Sequence, residues 1–215
     1  QAVFEEAFKE FYDGIIELNL TDEIDNYAVA RVDAKTGEIE TQSGRRERAA
    51  LANIIPPQKA GSIAATAGLL DGDWCPVHAG SFAATKAKDI WIVGDAAIAN
   101  DMPKSAFAAT SQGAVVAADI LADLSGAERK PGTYRNTCWS MLAPDDSAKI
   151  GGDYRPATQD GKSFLEIHEG FVSKPMESPE VRAQNYKESQ AWYTATVTAL
   201  FGKPPADGTS DGAAP

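Results

Sequence analysis

The chain has 215 residues, 43% of them hydrophobic, enough for one large domain or two small ones around a sizeable core. Its 20 Lys and Arg against 31 Asp and Glu leave a net charge of −11, which excludes a nucleic-acid surface and a polybasic membrane anchor and favours a cationic partner. Two cysteines, Cys75 and Cys138, and two histidines, His78 and His168, are too few for a disulfide framework or a metal centre, and no apolar run reaches the roughly 18 residues of a membrane span.

Residues 2–12 set Val3, Phe4, Phe8, Phe11 and Tyr12 on one helical face, and Asp13-Gly14 ends the helix. The chain opens into this helix with neither Met nor a leader, which suggests a fragment or a processed product. A short strand is expected at Ile15 to Leu18. Tyr27 to Val32 and Glu38 to Thr41 read as a hairpin whose turn, Asp33 to Gly37, puts glycine where a positive φ is cheap. Ala49 to Ile55 is a further apolar stretch, halted by Pro56-Pro57.

Ala60 to Leu70 suggests a short helix, and Asp71-Gly72-Asp73 a turn that delivers Trp74-Cys75-Pro76-Val77. Asp89 to Asp95 reads as a buried strand ending in Gly94-Asp95. A helix from about Ser105 to Leu124 follows, closed by Ser125-Gly126, with Gly113 and Ala117 one turn apart to permit close approach of a strand or ligand. After Pro131-Gly132, strands at Thr133 to Met141, Lys149 to Tyr154 and Ser163 to His168 form an antiparallel meander. A last helix runs from Ser178-Pro179-Glu180 to Phe201-Gly202. Residues 203–215 are polar and broken, and are expected to be disordered.

The run Ile90 to Ala118 carries the chemistry: a strand, Gly94-Asp95, the loop Met102-Pro103-Lys104-Ser105, then a small-residue helix containing Gln112. Glycine admits a cofactor chain, a carboxylate accepts from ribityl hydroxyls, and a helix start offers unpaired N–H groups and a positive dipole end to the pyrimidine edge of a reduced flavin. Val-Gly-Asp-Ala alone is equally a strand ending in a turn. Cys75 is either a half-shielded redox thiol or a buried apolar cysteine, Lys104 either faces the flavin or points to solvent, and Trp74, Trp91 and Trp139 are core or interface residues.

Taken with Asn53-Ile54-Ile55-Pro56-Pro57, Asp73-Trp74-Cys75-Pro76-Val77 and Asn136-Thr137-Cys138-Trp139-Ser140, the order of these motifs from roughly residue 4 to 200 resembles the flavin subunit of flavocytochrome c sulfide dehydrogenases, a glutathione-reductase-like flavoprotein family. The resemblance implies that sulfide is oxidised at a redox disulfide beside FAD and that electrons pass to a c-type cytochrome subunit in the periplasm. It implies Cys75 as one half of that disulfide, its partner lying in an absent earlier segment. It implies FAD contacts at Gly94, Asp95, Met102, Pro103, Lys104, Ser105 and Gln112, and no redox role for Cys138.

The expected fold class is α/β with an α+β last part. Residues 1–55 would end a second Rossmann-like dinucleotide-binding domain, 56–130 would return to the FAD domain, and 131–202 would form an antiparallel-sheet and helix interface domain. A sulfide:quinone or NADH-type reductase is the alternative, and a non-catalytic cytochrome-docking module is the alternative of another class. Without the fingerprint that grips the FAD pyrophosphate, and without the amino-terminal half that would cover its apolar faces, the isolated chain is expected to bind FAD weakly or not at all and to self-associate.

Overall fold

A computed structural model describes residues 1–203, which form two compact units, one of Gly14–Lys59 and one made from residues 1–13 and 60–203. Residues 1–13 group with the larger unit because the first helix packs with the carboxy-terminal sheet. The expected disordered tail falls, from residue 204 on, outside the described residues.

Helix α1, Ala2–Phe11, belongs to the larger unit. Its buried Val3 and Ala7 meet Leu142 and Ala148, and Tyr12 Oη donates to the Leu142 carbonyl at 2.6 Å. The expected aromatic face is present as an edge-to-face series, Phe4 to Phe8 to Tyr12, but Phe4 and Phe11 stay exposed.

The smaller unit is an antiparallel sheet of β1 (Val29–Asp33), β2 (Glu38–Thr41) and β3 (Arg46–Arg48), in that order. The expected hairpin is there. The Asp33 carboxylate accepts from the Lys35 and Thr36 N–H groups, which holds its pKa below the usual carboxylate range, and Gly37 sits at φ +72° where a Cβ would strike the Ala49 carbonyl. The strand expected at Ile15 to Leu18 does not form, and Ile15 is 79% exposed. Ala49 to Ile55 is likewise irregular, with Leu51 and Ile55 exposed. An apolar run becomes a strand only where a ladder partner takes its N–H and C=O groups.

The larger unit continues with α2 (Ser62–Thr66), β4 (Cys75–Pro76) and β5 (Ala97–Ile98). Among the described residues, parallel pairing is confined to β4 with β5, in the register Cys75 to Ala97 and Pro76 to Ile98. The strand expected over Asp89 to Asp95 is replaced by one isolated bridge, Ala83 to Trp91, and a 3-10 turn at Gly94–Ala96. Ile90 and Val93 are partly exposed, so this apolar run has no sheet to join.

Helix α3, Ala106–Ser125, forms as expected: the Ser105 hydroxyl caps it and Gly126, at φ +69°, closes it. A Cβ on Gly113 would meet nothing within 4 Å, so the close approach expected there is absent among the described residues. By length and composition α3 is the one described helix able to cross a membrane, yet it packs on the strand that follows and buries Gln112 and Asp119, leaving Leu121 and Leu124 exposed.

The expected meander is longer than the periodicity indicated: β6 (Tyr134–Ala143), β7 (Asp146–Gln159) and β8 (Lys162–Val172), antiparallel in that order. The core between it, α3 and residues 77–102 contains Phe82, Met102, Ala108, Val116, Tyr134, Tyr154 and Leu165. Helix α4, Pro179–Phe201, has the anticipated Ser178 cap and Gly202 stop, and lies on β7. There the buried Arg182 guanidinium pairs with Asp146 and the Asn185 amide donates to the Ser147 carbonyl.

Candidate functional site

Cys75 lies in β4 and is fully buried. Its free thiol sits among Ala60, Ala64, Leu69 and Ala84, with Trp74, Ile92 and Ala96 at the edge. Burial pushes the thiol pKa up, and the ammonium groups of Lys104 and then Lys86 pull it back down. The parallel pairing fixes Cys75 opposite Ala97, two residues beyond Asp95.

The Lys104 ammonium closes this arrangement. It donates to the Asp95 carbonyl at 2.5 Å and the Ala97 carbonyl at 2.9 Å, and rests 3.9 Å from the centre of the Trp74 ring. Loss of hydration lowers the lysine pKa, and the nearby Asp95 charge opposes that. The Lys104 ammonium is thus held against β5 and the Trp74 ring while the residue itself stays exposed.

Gly94 begins the 3-10 turn at φ +70°, a conformation cheap only for glycine. Its N–H donates to Gln112 Oε1 at 2.6 Å, while Gln112 Nε2 reaches the Met102 sulfur at 3.5 Å. Gln112 and Met102 are 1% and 2% exposed, so both act from behind the turn, as a brace and as core. The Asp95 side chain is exposed and makes no hydrogen bond of its own among the described residues.

Ser105 Oγ accepts from the Ala108 N–H at 3.0 Å and donates to Asn136 Oδ1 at 2.5 Å, joining the start of α3 to β6. Phe107 in the same turn stacks on Trp192 and tilts against Trp139, so α4 and β6 fix the helix start from the other side. Pro103 is exposed at the rim of a half-open cavity of about 720 Å³ lined by Asn136, Cys138, Ile150, Tyr154 and Ile167. The buried Tyr154 has its phenol pKa raised, first by lost hydration and then by the neighbouring Cys138 and Asp101.

The structure thus brings all eight residues singled out in the sequence into one region, in three groups. Cys75 and Lys104 flank the β4 and β5 pair, Gly94, Asp95, Gln112 and Met102 make the turn and its support, and Pro103 and Ser105 lead into α3. Trp74 belongs with them through its contact with Lys104, and Asn136 through Ser105. The alternation of β6 marks Asn136 as inward-facing, a signal available from sequence. Nothing in the sequence marks Trp74 as a lysine platform.

The larger unit is mixed α/β, with a capped helix start and a glycine turn beside a three-stranded antiparallel meander, an architecture consistent with a flavin-binding domain. Residues 130–201 match the family model described as "Flavocytochrome c sulphide dehydrogenase, flavin-binding". Over that segment the chain is similar to the flavin-binding domain of flavocytochrome c sulphide dehydrogenases, and FAD is the cofactor that this similarity implies. The match spans the meander and α4; Cys75 and the residues from Gly94 to Gln112 lie outside it.

The site residues fit a flavin. The exposed Asp95 carboxylate can accept from hydroxyls of a ribityl chain. Ser105 satisfies one N–H of the first turn of α3, while those of Ala106 and Phe107 have no acceptor among the described residues and can donate to the pyrimidine edge of the ring.

Proposed function

We propose that the chain is part of a periplasmic sulfide:cytochrome c oxidoreductase, in which Cys75 is one sulfur of a redox disulfide beside FAD and a c-type cytochrome takes the electrons. The observation that supports this most is the locking of Cys75 opposite Ala97, in the same short pair of strands that follows Gly94-Asp95. Bound FAD supplies a two-electron acceptor.

The chain's own residues supply the rest. Sulfide attacks a disulfide that joins Cys75 to a thiol outside this chain; the S–S bond breaks, a new S–S bond forms to the incoming sulfur, and the displaced cysteine leaves as a thiolate with the electron pair. Asp95 and the start of α3 orient the flavin, and Cys75, a free thiol fully buried among apolar side chains, has to be uncovered for the exchange. The net charge of −11 suits a cationic cytochrome. The chain contains no G-x-G-x-x-G fingerprint, so alone it binds FAD weakly, and Leu121 and Leu124 on α3 provide a surface for self-association.

Sulfide-dependent reduction of a c-type cytochrome by the full-length protein is expected to disappear in Cys75→Ser; retained turnover would remove Cys75 from the reaction. The 215-residue chain is expected to purify colourless, and a yellow preparation with one flavin per chain would contradict its weak affinity for FAD.

A further inference from the structure

We propose that Lys104 is a positioning residue for the sulfur of Cys75, its ammonium fixed on the backbone and on Trp74 so as to hold positive charge beside the anionic form of that sulfur. The proposal rests on the reading of Cys75 as the redox thiol and gives Lys104 a partner other than the flavin.

Geometry carries it. The two carbonyls that receive the ammonium belong to Asp95 and Ala97, and Ala97 is the residue paired with Cys75. The ring beneath the ammonium belongs to Trp74, the neighbour of Cys75 in sequence. Lys104 is therefore anchored on Ala97 of β5, on the turn before it and on the ring next to Cys75 in sequence, by three contacts that do not involve the sulfur itself. Lys104 stays exposed as a residue, and two charge–dipole hydrogen bonds with a cation–π contact hold its ammonium in one place.

The chemistry needs such a charge. When a disulfide at Cys75 opens, one sulfur departs with the electron pair, and burial among alanines and Leu69 works against a buried anion. A lysine cannot cancel that cost but lowers it, and it survives each turnover because its anchors are backbone and ring. The charged groups whose fields reach Cys75 are Lys104, from the loop before α3, and Lys86, whose ammonium is held on the Leu70 carbonyl; Asp95 acts on Lys104 in turn.

The test is the thiolate titration of Cys75 in the reduced chain, read as absorbance at 240 nm with the signal of the matching Cys75→Ser protein subtracted, which removes tyrosine and Cys138. In Lys104→Met the ionisation constant of Cys75 is expected to fall several-fold, in Lys104→Arg to stay near that of the parent, and in Lys86→Met to fall less than in Lys104→Met. Lys104→Gln repeats the loss of charge with a polar side chain, should the Met variant fail to fold. A titration unmoved by either neutral variant, or moved as far by Arg as by Met, overturns the proposal. The outcome is separable from the parent reading, since Cys75→Ser tests sulfide turnover whether or not Lys104 governs the titration.

Discussion

The stretch 134–201 and the stretch 60–105 solve the same problem, satisfying backbone N–H and C=O groups away from water, by opposite means. In the first, three long strands pair with one another in register and a helix satisfies itself, so side chains are free to pack and to pair, as Arg182 does with Asp146 and Lys149 with Glu188. In the second there are only two two-residue strands and a five-residue helix, and side chains serve the backbone instead: Gln112 on Gly94, Lys104 on Asp95 and Ala97, Thr85 on Pro76. All the residues proposed for chemistry except Gln112, which reaches in from α3, sit in the second stretch because irregular backbone exposes the N–H, C=O and side-chain groups that regular ladders consume.

Three substitutions sharpen that contrast. The largest loss is expected in the first stretch, from Arg182→Met. It leaves the Asp146 carboxylate without the guanidinium that bonds it at 2.5 and 3.0 Å, and at 6% side-chain exposure for the arginine the cost is about 3–5 kcal/mol in urea unfolding. Asp146→Ala in the same chain is expected to recover part of it.

A smaller loss, about 1–3 kcal/mol, is expected in the second stretch from Gln112→Leu, which keeps the volume but strands the Gly94 N–H. Exchange of the Gly94 amide with deuterium is expected to speed up in this variant while amides of β7 keep their protection. Equal acceleration in both places would show that the two stretches open as one.

The smallest effect joins them. Tyr134 is fully buried with its hydroxyl unpartnered, and burial, then the nearby Asp119, raises its phenol pKa above the ordinary 10.0. The unfolded chain ionises first, so this phenol's contribution is intact below pH 10 and is lost as pH rises from there. Tyr134→Phe is expected to gain about 1 kcal/mol near neutrality, by removing an unsatisfied donor, and to flatten the decline of thermal stability on the alkaline side.

What was legible in the sequence follows the same divide. Ser105, Gly126, Ser178 and Gly202 mark both long helices, and the alternation of β6 marks the meander, because caps and periodicity are local properties. Ile90 to Val93 and Ala49 to Ile55 mislead because a strand is a property of two segments, and their composition gives no sign of whether a partner is present. Phe82 shows the limit most clearly: it holds a left-handed φ of +56° while fully buried, pinned by bonds to His78 and Ile92 that no local pattern announces. The residues proposed for the site could be named from the sequence, and the bonds among them could not. Lys104 reaches main-chain carbonyls, which carry no residue-specific signature.

Ser105 has a single proton to give, and it gives it to Asn136, a strand residue of the meander, while its lone pair steadies the first turn of α3. One oxygen is thus the joint between the segment that matches a flavin-binding family and the first turn of α3. A shift of β6 at Asn136 would reach the first turn of α3 through a lever one side chain long.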